Sequence, residues 1–171
     1  MASTRADQYR RWFEYEKDSH RKVLASLAAA PAQSRVLAPF QKATALLGHI
    51  VAARWLWLFR FNVAPQGPAG IFPSNVTLDA LTRQLGEMES AWDAYLAGLD
   101  DAELDRQFTY RSLEGDWFSN RVEDVLAQLF GHSWYHRGQI AALLRSMDCE
   151  PAVTDFIFWT REATTDPGRG T

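Results

Sequence analysis

The chain has 171 residues, 18 basic and 21 acidic side chains for a net charge of −3, and a hydrophobic share of 47%. That suits a single domain over residues 1–171 with enough apolar surface for a packed core, and it gives no general electrostatic reason to bind nucleic acid. The charged start has no signal-peptide layout, the apolar stretch Leu46 to Phe61 is broken by His49, Arg54 and Arg60 and is too short to span a bilayer, and the lone Cys149 excludes an internal disulfide; a cytoplasmic location without membrane contact is expected.

Tyr9, Trp12, Glu16, His20, Val23 and Leu27 recur at helical spacing and predict a first helix from about Asp7 to Ala30, ended by Pro31. Pro39 suits the first turn of a second helix that runs to about Asn62. Residues 63–75 hold three prolines and two glycines and read as a long irregular connection, one that allows a crossover between non-adjacent helices. Thr77 is the expected cap of a third helix from Leu78 to about Leu99, and Asp100 with Glu103 has capping-box spacing.

Between Phe108 and Phe118 the pattern changes. Thr109 to Arg111 and Asp116 to Phe118 flank Leu113-Glu114-Gly115 and predict a small hairpin. Asn120, with Glu123 three residues on, is the expected cap of a last long helix that reaches about Met147. A short helix is expected over Thr154 to Ala163, and the tail at 165–171 is expected to fray. The fold class is therefore all-α: a four-helix bundle with a small β-hairpin before the last long helix and a short C-terminal helix.

The chemistry concentrates in Gly131 to Ile140. His132 and His136 stand four residues apart, which on a helix places them about 40° apart around the axis and about 6 Å along it, within reach of one metal ion. Both fall on an apolar stripe through Val125, Leu129, Ile140, Leu143 and Met147, where two imidazoles in succession ask for a shared partner. His49, in the apolar run Leu46 to Val51, is the candidate third ligand. Each histidine has a plainer reading as a hydrogen-bonded core residue. Three neutral imidazoles with one open position make a reactive site, whereas a closed structural site takes four protein ligands. Glu16 and His20, four apart on the first helix, could supply a general base or hydrogen bonds behind the ligands, or could simply pair with each other.

The run His132-Ser133-Trp134-Tyr135-His136-Arg137-Gly138-Gln139 resembles the His-x3-His-Arg-Gly-Gln signature of the DinB/YfiT-like metal-binding proteins, which are four-helix bundles. Gly48-His49 with Trp57 to Arg60 resembles that family's second helix, Glu114 to Phe118 its hairpin, and Met147 to Phe158 its C-terminal ending. The resemblance implies one divalent metal ion per chain, nickel or zinc, on His49, His132 and His136, and a homodimer. It departs from the family pattern at His20, where Asn is usual, at Arg54, where Asp commonly follows the first histidine, and at Gln128, where many relatives have another His. Surplus aromatic surface, with seven tryptophans and ten phenylalanines, also argues for a homodimer.

Two functions follow as expectations. One is a metal-dependent enzyme of thiol-transferase or hydrolase type acting on a small molecule, with a low-molecular-weight thiol as a partner. The other is a metal-binding protein without turnover, a stress-response module that sequesters or senses the ion. An open position lined by Trp, Tyr and Arg favours the first; a capped site favours the second.

Overall fold

The computed structural model describes residues 3–164; the tail at 165–171 lies outside the described residues. The first helix, α1, spans Arg5–Ala29. It begins two residues before Asp7 because Thr4 and Asp7 form a capping box, each side chain accepting the other's backbone N–H. A short helix not expected from the pattern, α2 (Ala32–Arg35), fills the gap before α3 (Ala38–Arg60), whose first turn holds Pro39. Asn62 ends α3 in the left-handed region (φ 61°), and the Val63 N–H returns to the Leu58 carbonyl at 2.9 Å.

Helix α4 covers Leu78–Ala97, capped by Thr77, and α5 covers Asp101–Asp105, capped by Asp100. The hairpin joins β1 (Gln107–Arg111) to β2 (Trp117–Arg121), antiparallel, with Gly115 supplying the positive φ of 102° in its turn. Helix α6 spans Val122–Arg145 and the last helix, α7, Phe156–Thr160. Asn120 does not cap α6. It sits in β2 opposite Phe108 and accepts the Tyr110 hydroxyl at 2.9 Å, so strand pairing took the residue that capping needed. Glu123 instead binds Arg5 and Arg121.

The chain is mostly helical, with seven helices and one two-stranded sheet among the described residues. The four long helices close a ring: α1 packs on α4, α4 on α3, α3 on α6 and α6 on α1. The long connection after α3 therefore joins neighbours. The diagonal crossings run through α2, and through α5 with the hairpin. Inside the ring Phe13, Leu47, Ile50, Met88, Trp92 and Leu129 are buried. Shortening any of the large aliphatic ones to alanine costs about 2–5 kcal/mol. No described helix is long and apolar enough to cross a membrane.

Candidate metal centre

The ring places α3 beside α6, and with it His49 beside His132 and His136. The His49 and His132 Nε2 atoms lie 3.0 Å apart, those of His136 and His132 3.1 Å, and the three candidate ligand atoms all fall within 4.8 Å of one another. His49 is buried and the other two are half-buried.

The back of two of the rings is already occupied. His49 Nδ1 donates to the Ile71 carbonyl at 2.7 Å, and His136 Nδ1 donates to the Gln139 side-chain oxygen at 2.8 Å. Those acceptors fix the hydrogen on Nδ1 and leave a lone pair on each Nε2. Two lone pairs thus face His132 Nε2, which can bring at most one hydrogen to share between them. Protonating the rings does not resolve the crowding. Burial, then the neighbouring His136 and His49, pushes His132 down to about 4, and burial also lowers His136. A cation resolves it. Metal–nitrogen bonds of about 2.0–2.1 Å set ligand edges of about 3.0 Å at octahedral right angles and about 3.4 Å in a tetrahedron, so the two edges at His132 match a divalent ion and the His49–His136 pair need only close up around it.

Gly48 explains how the connection after α3 reaches His49. A Cβ there would stand 2.8 Å from Pro73 Cγ, so only glycine admits Pro73 against the helix. That contact seats the Ile71 carbonyl on His49 Nδ1 and lays the Phe72 ring flat on the His49 ring, centroids 4.5 Å apart.

The buried stripe of α6 differs from the expected one. Its buried positions one residue beyond each histidine are Ser133 and Arg137, and the two histidines lie at the stripe's edge. The stripe shifts because Arg137 has a buried partner. Glu16 on α1 accepts Arg137 Nη1 at 2.7 Å and, through its other oxygen, Arg54 Nη2 at 2.8 Å. Arg54 also donates to Ser133 Oγ at 3.3 Å, and Arg137 to the Tyr15 hydroxyl at 2.9 Å. Burial pushes the Glu16 carboxyl up, but Arg137, Arg54 and His20 outweigh it and hold it below the ordinary carboxylate range. Glu16 thus ties α1 to α3 and α6 directly behind the histidines.

His20 is buried too, but it faces Glu89 on α4, with Nδ1 2.9 Å from Oε1. Its Nε2 stands 3.7 Å from Glu16 and has no hydrogen-bond partner. Among the described residues the convergent cluster is His49, His132 and His136, without His20. Neither Glu16 nor His20 pairs at the surface. Gln128, one turn before His132, is exposed on α6. Sequence reasoning missed Ile71, Phe72, Gln139 and Glu89. Only Gln139 carried a readable signal, three residues after His136 on the same helix face.

No curated protein and no solved structure matches the chain. The family model described as DinB family matches residues 1–168, so the sequence signature, the histidine cluster and the match agree: the chain belongs to the DinB family.

Proposed function

We propose that the protein holds one divalent metal ion per chain on His49, His132 and His136 and acts as a metal-dependent enzyme of thiol-transferase or hydrolase type on a small molecule. The observation that carries this reading is the meeting of three Nε2 atoms, two of them with their Nδ1 hydrogens already committed to Ile71 and Gln139. When bound, a divalent ion supplies Lewis acidity, which polarises a carbonyl or acidifies a thiol. Imidazole ligands suit nickel and zinc alike.

The chain's own residues have distinct tasks in this reading. Ile71 and Gln139 orient the rings. Arg54, held by Glu16, adds to the burial and the neighbouring histidines that disfavour protonation of His132, and Arg137 anchors Glu16 from the same helix as His132 and His136. Glu16 serves as the tie between helices, because both its oxygens are engaged and its proton affinity is lowered. His20 pairs with Glu89 on α4 and stands outside the cluster. The half-buried rims of His132 and His136 favour turnover over a capped sequestering site.

Elemental analysis of protein purified without an affinity tag should give one nickel or zinc per chain. A screen of electrophiles with low-molecular-weight thiols should then give metal-dependent transfer. Metal without any turnover would favour the stress-response binding reading; no metal would defeat both. A homodimer is also proposed, supported by exposed apolar side chains such as Trp117, Phe118, Ile157 and Phe158. Sedimentation should give about twice the chain mass, unchanged by metal removal, since the three ligands lie within one chain.

A further inference from the structure

Resting on that reading and extending it to the substrate, we propose that the histidine cluster takes small molecules in which a flat apolar group sits next to the metal-binding oxygen or sulfur, and that Phe72 and Tyr135 select that group. Phe72, in the connection after α3, is 80% exposed although its ring lies parallel to His49, at 9° and 4.5 Å. Tyr135, on α6, is 64% exposed and stands edge-on to His136 at 5.1 Å. Both rings remain open to solvent and forgo most of the gain that burial gives an aromatic side chain.

Holding a ligand ring uses only one face of Phe72 and one edge of Tyr135. The remaining surfaces are free, and they belong to two separate elements, each beside a different ligand. A molecule that coordinates through the cluster's open position has apolar walls at His49 and at His136. A flat group gains from both by stacking or edge contact, whereas a small polar body gains from neither. The connection keeps Phe72 in place through Pro73 on Gly48 and the Ile71 carbonyl on His49, so the wall is set before a ligand arrives.

Two hydroxamates test this on the full chain loaded with cobalt(II), whose visible absorption reports coordination. Benzohydroxamate and acetohydroxamate share the metal-binding group and differ in the flat apolar body. The expected result is about ten-fold tighter binding of benzohydroxamate, reduced by about three-fold in Phe72→Leu and again in Tyr135→Leu, and retained in Tyr135→Phe. Metal content should stay at one ion per chain in these variants; should Phe72→Leu lose the ion, the Tyr135 pair decides alone. No preference in the parent protein, or a preference untouched by the leucine variants, overturns the proposal. If the chain takes up no cobalt(II), the metal reading itself fails, and this one with it; if it takes up cobalt(II) and binds neither compound, this proposal alone fails.

Discussion

Two polar clusters lie side by side in the bundle, and they differ in whether their groups are opposite or alike. Around Glu16, opposite charges meet: one carboxylate, two guanidiniums, and hydroxyls from Tyr15 and Ser133. Around His132, like groups meet: three imidazoles turn their Nε2 atoms toward one another, and burial lowers the proton affinity of His132 and His136. The first cluster pairs its charges and holds helices together, although Arg54 Nε and Arg137 Nε are buried without a hydrogen-bond partner. The second gathers three candidate ligand atoms, and two of its rings are half-buried. A polar cluster that pairs opposite charges serves as architecture, whereas one in which like groups converge is a candidate site for a ligand.

That contrast can be broken most forcefully at Glu16. Glu16→Ala leaves Arg54 and Arg137 buried without an anion, and should lower stability by about 3–5 kcal/mol in urea unfolding at neutral pH. A loss below about 1 kcal/mol would mean that the guanidiniums find water or another partner, and the two clusters would no longer differ in kind.

The histidines should behave in the opposite way. His132→Ala, His136→Ala or His49→Ala should each abolish stoichiometric metal binding, a larger loss than the roughly 10–100-fold typical of groups behind a ligand. The metal-free stability of the His132 and His136 variants should change by only about 1 kcal/mol, because both rings are half-buried and crowded. Full metal content in any of the three would remove that residue from the ligand set.

Gly48→Ala tests the link between loop and ligand. The added methyl displaces Pro73, and the Ile71 carbonyl should leave His49 with it. Metal affinity should fall by about ten-fold while helix α3 stays folded, as measured by competition with a chromophoric chelator and by circular dichroism. Unchanged affinity would show that His49 needs no support from the connection.

The smallest expected effect is on pH dependence. The carboxyl of Glu16 is lowered in the folded protein, so its contribution is complete above the unfolded value of about 4.3 and is lost as pH falls through the folded value. Thermal unfolding of the parent and of Glu16→Gln should therefore show a constant gap from pH 7 to about 5 that narrows in more acidic buffer. A gap that widens on acidification would contradict the ion-paired state of Glu16.

The sequence by itself determined the four long helices and the histidine spacing on the last of them. Thr77 capping α4, Pro39 opening α3 and Gly115 in the hairpin turn act through neighbouring residues, so their effect is written in the local order of the chain. The spacing of His132 and His136 is equally local, since a helix turns it directly into a distance. Failures of the reading are non-local. Asn120 has capping spacing, but a strand partner twelve residues earlier claims it. His132 and His136 share the period of the apolar stripe, yet Ser133 and Arg137 take the buried positions because Glu16 waits on another helix. Glu16 and His20 are neighbours on α1, but tertiary structure sends one to Arg54 and Arg137 and the other to Glu89. Whether a buried charge or a ring finds its partner depends on which helices the ring of four brings together. Periodicity along one helix narrows which side chains can point inward; packing decides which of them do and what they meet there.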